Sequence, residues 1–169
     1  LKNRVHDLDA GYVNEYGDGS DFQSYIPLHG HSTYSFGDAS TKLNELISRT
    51  KEIGSDAIAL TEHGNMCSFF KFYKEAKDND IKPILGCELY VNDAYHKDVD
   101  VFLEAKRSKK KKNDDLVATD EEDLDFSNRH FLCYAKNYEG LRNIIQLSNI
   151  GFENFYRKPL VNSNLLFEH

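Results

Sequence analysis

Short apolar runs alternate with amphipathic segments along the first half of this chain, and this alternation limits the folds that it can adopt. Residues 25–29 are a short apolar run that predicts a buried strand, with Pro27 indicating a strand edge or the entry of a barrel. Residues 57–60 predict a strand buried on both faces, and residues 84–91 predict a third strand. Between these runs, apolar side chains recur at helical spacing in residues 43–53 and 69–76. Strands separated by helices predict an α/β fold with a parallel sheet or barrel.

Further elements are expected in the second half of the chain. Residues 130–135 read as another strand, and a helix is expected over residues 141–148, ending before Gly151. The last stretch, residues 152–169, contains Phe155, Tyr156 and Pro159, and a short helix is expected near its end.

Two segments interrupt this pattern. Residues 1–24 are polar, with no sustained period, and read as an N-terminal extension. Residues 92–128 place a basic run at 106–112 beside an acidic run at 114–125. Blocks of like charge rarely pack, so this region is expected to be an exposed, mobile insertion whose lysines are solvated.

Composition narrows the class of protein. A length of 169 residues suits one domain, and a net charge of −7 argues against a generally basic nucleic-acid binder. No apolar run approaches the roughly 18 residues of a membrane helix. The three cysteines, Cys67, Cys87 and Cys133, are odd in number and widely spaced, which favours buried structural thiols in a reducing cytoplasm over a disulfide framework.

The sharpest local signal is His29-Gly30-His31. Residues two apart on an extended strand point to the same face, so both imidazoles could bind one metal ion, while Gly30 leaves the opposite side uncrowded. Two ordinary polar histidines are the alternative. Asp38 follows in the next loop, where a turn or cap role is the plainer interpretation.

Polar side chains also stand in or beside the later strands. Glu62 and His63 follow the second strand directly, at the strand end where α/β folds place active sites, although a simple turn is the alternative. Glu88 lies inside an apolar strand, and a buried carboxylate needs a cationic partner or a metal because burying it alone is costly. His130 opens the next strand, where a lone histidine is more often structural.

Taken together, six side chains from four successive strands or their ends are expected to converge, as the ends of parallel strands do. These are His29, His31, Asp38, His63, Glu88 and His130. Imidazole and carboxylate ligands suit Zn, Mn or Fe better than Mg. A cluster of two or three such ions could activate water and hold a phosphate, which is hydrolytic phosphoester chemistry.

Several short motifs also stand in a particular order along the chain. Residues 28–35 (LHGHSTYS) and 61–66 (TEHGNM) resemble the first and second motifs of the PHP (polymerase and histidinol phosphatase) family. Residues 81–91, 134–140 and 155–159 more narrowly resemble the PHP domain of bacterial DNA polymerase III alpha subunits, the family C replicative polymerases.

This resemblance implies roles for particular residues. It implies that the metal ligands are His29, His31, Asp38, His63, Glu88 and His130, and that the catalytic residues are His29, His31, His63 and Glu88. Glu62 stands where the family usually has aspartate, and it is expected to support a ligand from behind without binding the metal. The implied cofactor is a cluster of two or three divalent ions, either Zn, Mn or Fe.

The family fold implied is a distorted (β/α)7 TIM-like barrel. Residues 25–169 would form its N-terminal portion, the first half of a PHP domain, with the charged insertion at residues 92–128. Further ligands and the polymerase domains are expected beyond this chain, so the chain alone is expected to hydrolyse poorly or not at all.

The resemblance favours a portion of a DNA polymerase III alpha subunit that acts in DNA replication. Its PHP domain would be a metal-dependent phosphoesterase, as a 3′–5′ proofreading exonuclease, or would support the polymerase structurally. The implied partners are the remainder of the polymerase chain or a complementary fragment, DNA, and a separate proofreading subunit. A standalone histidinol-phosphatase-like enzyme and a non-catalytic interaction module are the alternatives.

Overall fold

A computed structural model describes residues 25–94, 104, 106–108 and 127–168 of the chain. Within these residues, five strands form one mixed parallel and antiparallel sheet, and helices pack against it. The predicted N-terminal extension and nearly all of the charged insertion lie outside the described residues. A search of the described helices finds none with the length and apolar character needed to cross a bilayer.

Strand β2 (Lys82–Val91) is the central strand of the sheet, and its first partner is parallel to it. Strand β1 (Ala57–His63) pairs in parallel with β2 (Lys82–Val91), with His63 level with Glu88. Helices α1 (Leu43–Glu52) and α2 (Phe69–Asp78) precede and follow β1 in the chain. The two strands, the two helices and their order confirm the prediction from the apolar pattern.

The core beneath β1 shows why these segments form helices. Ile58 and Leu60 of β1 pack in one buried cluster with Ile47 of α1 and Phe72 of α2. The Phe72 side chain is wholly buried, and burial of an aromatic side chain of this size contributes about 2–3 kcal/mol. The helical spacing of apolar residues therefore turns one face of each helix onto the sheet.

Strand β3 (Arg129–Tyr134) corrects the predicted parallel order, because it pairs with β2 in antiparallel fashion. His130 lies opposite Tyr90, near the C-terminal end of β2. An apolar run looks the same whichever way the strand is directed, so the sequence pattern could not show this direction. Its consequence is that the first residues of β3, and not its last, lie beside the carboxyl ends of β1 and β2.

The predicted buried strand over residues 25–29 is wrong, because this segment is extended and largely exposed, with no regular strand. Two backbone hydrogen bonds hold it beside β1. The Ala59 N–H donates to the Pro27 carbonyl and the Thr61 N–H to the Gly30 carbonyl, each at 2.8 Å. Pro27 has no N–H to donate in return, which limits the ladder.

Helix α3 (Tyr138–Glu153) is longer than predicted. Asn137 caps its start by accepting a hydrogen bond from the Gly140 N–H at 2.9 Å. Gly151, expected after the helix, lies inside it. A Cβ at this position would come within 3.2 Å of the Pro159 Cβ. Gly151 thus serves a close approach and not a helix end.

A tight hairpin that the sequence did not predict follows α3. Its strands are β4 (Phe155–Tyr156) and β5 (Lys158–Val161), and Arg157 between them has a φ of +61°. Strand β5 also pairs in parallel with the end of β2. The short helix α4 (Ser163–Glu168) confirms the predicted short helix near the C-terminus.

The expectation that all three cysteines are buried is wrong for Cys67, which is exposed before α2. Cys87 is fully buried and Cys133 is partly buried. Burial raises the pKa of Cys87 to about 12 and that of Cys133 to about 11. Both therefore remain protonated thiols near neutral pH.

Candidate metal centre

One face of the sheet is polar at the carboxyl ends of β1 and β2. Residues level in a parallel pair point to the same face, so His63 of β1 shares a face with Glu88 of β2. Cys87, between Gly86 and Glu88, points to the opposite face, where it joins the apolar cluster against α3. Strand alternation thus separates a polar site from the packed core.

The N-terminal segment lies against β1 and brings two histidines to this face. The Gly30 carbonyl accepts hydrogen bonds from the Thr61 N–H at 2.8 Å and the Thr61 hydroxyl at 3.2 Å. A Cβ on Gly30 would lie 2.8 Å from the Ala59 carbonyl oxygen. Glycine is required for this close approach, which lets His29 and His31 reach Glu88.

Glu88 stands at the centre of the polar cluster, and its side chain is only 3% exposed. Its Oε2 lies 2.6 Å from His29 Nε2 and 3.0 Å from His31 Nε2. Its Oε1 forms a hydrogen bond with His130 Nδ1, and His63 Nδ1 lies 3.8 Å from Oε2. The buried carboxylate expected from the sequence is therefore surrounded by four imidazoles.

His63 connects the remaining residues. Its Nε2 lies 3.2 Å from Asp38 Oδ2, and its ring stacks on that of His31 with centroids 4.4 Å apart. The Tyr90 ring stacks on His63 at 5.4 Å and meets His130 edge-on at 4.9 Å. These rings leave little freedom for the imidazoles to turn.

The potential ligand atoms fall into three groups, each with its atoms within 4.8 Å of one another. The groups are His29, His31 and Glu88; His31, Asp38 and His63; and His63, Glu88 and His130. Each pair of groups shares one residue, which is His31, His63 or Glu88, so ions bound to the groups would be linked through common ligands. The structure thus brings together all six side chains for which metal binding is expected.

Two details of the geometry fit a divalent ion. His63 Nδ1 is buried and has no hydrogen-bond partner among the described residues. His29 Nε2 and His31 Nε2 lie 3.0 Å apart beside the same Glu88 oxygen. Converging lone pairs of this kind are satisfied together by one cation, and imidazole with carboxylate suits Zn, Mn or Fe.

Environment favours the deprotonated forms of Glu88 and His31. Burial acts to raise the pKa of Glu88, but hydrogen bonds to His29 and His130 and the nearby histidine charges outweigh it, and the net shift is downward. Burial, together with the charge of His63, lowers the pKa of His31. Deprotonated imidazole and carboxylate are the forms that bind metal.

Glu62 belongs to none of the three groups, because alternation along β1 turns it away from His63. Its carboxylate is 2% exposed and accepts hydrogen bonds from the Ser32 and Ser35 hydroxyls. The Ser32 N–H at 3.1 Å and the Ser68 hydroxyl at 3.2 Å complete its partners. Glu62 is thus a satisfied buried carboxylate that ties the loop after His31 to the start of α2.

Ser35 carries this support to the metal centre. Its Oγ accepts a hydrogen bond from the His63 N–H at 3.0 Å and lies 3.3 Å from His31 Nδ1. A serine hydroxyl has a single proton, and Ser35 donates it to Glu62. Ser35 can therefore only accept from His31, which places the His31 proton on Nδ1 and leaves Nε2 free to bind metal.

Sequence reasoning missed Ser35 and Tyr90. Ser35 stands in the motif after His31, but its bonds to both Glu62 and His63 depend on how the loop folds back. Tyr90 lies two residues after Glu88, and strand alternation alone could have placed it on the same face.

The chain matches the model of a known protein family. Residues 27–169 match the family model described as the PHP domain. The chain therefore belongs to the PHP domain family, which confirms the resemblance seen in its motifs.

The curated proteins to which the chain is similar are DNA polymerase III alpha subunits. The chain is similar to DNA polymerase III subunit alpha of Chlamydia trachomatis, at 37% identity over 86% of this chain and 10% of that protein. The corresponding proteins of Borreliella burgdorferi (38% identity, 83% of this chain, 10% of that protein) and Aquifex aeolicus (34%, 85% and 11%) are also similar. The chain thus spans about a tenth of the length of these curated relatives.

Among solved structures, the chain is similar to an amidohydrolase from Chromobacterium violaceum. The TM-score is 0.41 and the identity 15%, with 76% of this chain and 34% of that chain covered.

Proposed function

We propose that this chain is the metal-binding part of the PHP domain of a DNA polymerase III alpha subunit and acts in DNA replication. Its site hydrolyses phosphodiesters, as a 3′–5′ proofreading exonuclease. The observation that carries this proposal is the linkage of the three ligand groups through His31, His63 and Glu88. The similarity to alpha subunits points to DNA as the substrate.

The residues of the site have three proposed roles: metal binding, catalysis and positioning of other side chains. The proposed ligands of two or three divalent ions are His29, His31, Asp38, His63, Glu88 and His130. Ions held there supply Lewis acidity, which acidifies water and offsets negative charge on a phosphoryl group. The proposed catalytic residues are His29, His31, His63 and Glu88. Glu62 acts as a positioning residue, through Ser35.

Exposure shows the side from which a substrate can approach. The side chains of His29, Asp38 and His130 are about half exposed, at 51%, 52% and 50%, whereas Glu88 lies beneath them at 3%. A phosphate can therefore meet the centre from the solvent side, while the carboxylate below stays out of water.

The remaining proposals concern the larger protein. Residues 25–169 form the first half of the domain, within a distorted (β/α)7 barrel, and nucleotidyl transfer belongs to other parts of the alpha subunit. The partners are the rest of the polymerase chain, DNA and a proofreading subunit. The chain alone hydrolyses weakly.

Metal analysis of the purified chain tests the proposal directly. The parent should retain stoichiometric Zn, Mn or Fe after dialysis, and a variant with His29→Ala and His31→Ala should lose most of it. Glu52→Gln is the control, because this α1 carboxylate is exposed and pairs with Arg49, away from the cluster. A parent without metal, or a double variant with unchanged metal, would show that the proposal is wrong.

A further inference from the structure

A lysine contacts the tyrosine that packs on the third ligand group. Lys158, the first residue of β5, donates a hydrogen bond from Nζ to the Tyr90 hydroxyl at 3.1 Å, and its Nζ lies 5.0 Å from the Tyr90 ring centre. The same ring contacts His63 and His130, with centroids 5.4 Å and 4.9 Å away. One aromatic ring thus separates the Lys158 ammonium from two proposed ligands.

A second cation precedes Lys158 in the hairpin. The Arg157 guanidinium lies 5.7 Å from the Tyr156 ring centre, and Lys106 Nζ lies 5.5 Å from the same ring. Neither Arg157 nor Lys158 forms an ion pair with a carboxylate in the part of the chain that the structure describes. In a chain with a net charge of −7, the hairpin thus carries two adjacent cations, one of which contacts the tyrosine that packs on His63 and His130.

The hairpin packs closely against the residue that follows His63. Gly64, which directly follows His63, packs so closely on Pro159 that a Cβ there would lie 2.3 Å from the Pro159 Cγ. Arg157 itself has a φ of +61°, in the left-handed region that favours glycine. An arginine kept in a strained turn that glycine would relieve suggests a use for its side chain.

We propose that Arg157 and Lys158 form a phosphate-binding site for the phosphate next to the one that is hydrolysed. Arginine can hold a phosphate with two parallel N–H bonds, and lysine adds a point charge. This inference rests on the proposed phosphodiesterase function and defines its substrate class.

The substrate class follows from the number of phosphates that the site can hold. A small phosphomonoester has one phosphate, which the ligand groups would hold. A second cationic site outside those groups serves a substrate with successive phosphates. The site therefore fits a polynucleotide strand, which carries successive phosphates.

Binding is tested by fluorescence anisotropy of a labelled oligothymidylate with the full 169-residue chain, over a range of KCl concentrations and with chelator present. Arg157→Gln and Lys158→Gln should each reduce the slope of log affinity against log salt by about 0.7, the value expected for one lost contact to a single strand. Lys158→Arg should restore the slope.

The control is Lys77→Gln, because Lys77 is an exposed lysine in the last turn of α2. It should leave the slope unchanged. Unfolding curves of all variants identify any that fail to fold. The phosphate site is disproved if folded Lys158→Gln and Lys77→Gln affect binding equally, or if neither hairpin substitution changes the slope.

Hydrolysis separates this inference from the function on which it rests. With Mn²⁺ added, Lys158→Gln should raise KM for the oligothymidylate about tenfold, the effect of losing one charged hydrogen bond. It should leave KM for bis(p-nitrophenyl) phosphate, which has no neighbouring phosphate, unchanged. An equal rise for both substrates would contradict the phosphate site. If the parent hydrolyses neither substrate but the salt slope still falls in the variants, the phosphodiesterase proposal fails and the phosphate site stands.

Discussion

Ser35 shows how much of the centre depends on one hydroxyl. It donates to the buried Glu62 carboxylate, accepts from the His63 backbone and faces His31 Nδ1. A metal-binding histidine is usually oriented by a partner on its other ring nitrogen, which fixes the tautomer. Glu62 therefore reaches the proposed ligands His31 and His63 through Ser35, without touching them.

Ser35→Ala should weaken Zn²⁺ binding about 10–100-fold, the usual effect of removing a residue that hydrogen-bonds to a metal ligand. Competition with a chromophoric chelator measures the affinity. Ser32→Ala is the matched control, since the Ser32 hydroxyl also donates to Glu62, whereas the hydroxyl that faces His31 Nδ1 is that of Ser35. If both variants lose affinity equally, Ser35 supports the loop only and does not orient His31.

The cysteines differ in reactivity for a physical reason that the structure makes explicit. Burial raises the pKa of Cys87 to about 12 and of Cys133 to about 11, so almost none of either is thiolate near pH 8. Cys67 is exposed. Iodoacetamide at about pH 8 should therefore label Cys67 first, and the other two only after denaturation. Mass spectrometry of tryptic peptides checks this, and early labelling of Cys87 would contradict it.

At the scale of elements, the segment that carries His29 and His31 is held loosely compared with the strands. It makes two backbone–backbone hydrogen bonds to β1, through the Pro27 and Gly30 carbonyls, and the Thr61 hydroxyl adds one to the Gly30 carbonyl. Its position therefore depends on the close contact at Gly30 more than on a full strand ladder.

Gly30→Ala should reduce metal content much more than it reduces stability. The new Cβ would lie 2.8 Å from the Ala59 carbonyl oxygen, a backbone atom that cannot turn aside, so the segment must move away from β1. Metal analysis and urea unfolding measure the two effects.

Gly140→Ala is the control for this substitution. A Cβ at Gly140 would meet its nearest atom at 3.6 Å, so the change should be neutral or slightly stabilising in α3. A Gly30→Ala variant with full metal content would show that the segment tolerates displacement.

At the scale of the whole molecule, the shifted pKa values of the centre make the metal-free chain sensitive to acid. The pKa of His31 is lower in the folded chain than its ordinary 6.5, so the unfolded chain takes up a proton first as the pH falls. Stability therefore declines from about pH 6.5 downward. The pKa of Glu88 is likewise below its ordinary 4.5, which adds a further loss below that pH.

Urea unfolding of the chelator-treated chain between about pH 7.5 and 5.5 tests this dependence. The free energy of unfolding should fall with pH in the parent. It should fall less steeply in His31→Gln, which cannot take up the proton. Equal slopes in the two proteins, or a parent that gains stability on acidification, would contradict the prediction.

The pattern of residues predicted the central elements well and their arrangement less well. The buried runs that became β1 and β2 and the helical spacing of α1 and α2 depend on local burial, which apolar periodicity reports directly. Residues 25–29 have the composition of a strand but lack a full set of backbone partners. The hairpin around Arg157 has two-residue β4 as one arm, too short for any period to show.

The residues of the candidate site could be recognised in the sequence because imidazole and carboxylate groups have a known preference for metal ions. A glutamate inside an apolar strand predicts a cationic partner or a metal, since a buried carboxylate is costly alone, and closely spaced histidines favour the metal. Long-range packing set the rest. The antiparallel course of β3 brought His130 to Glu88, the loop after His31 put Ser35 between Glu62 and His31, and the Gly64–Pro159 contact placed Lys158 beside Tyr90. Each of these contacts joins residues whose local sequence is compatible with several partners, so the choice among them is made only when the chain is packed.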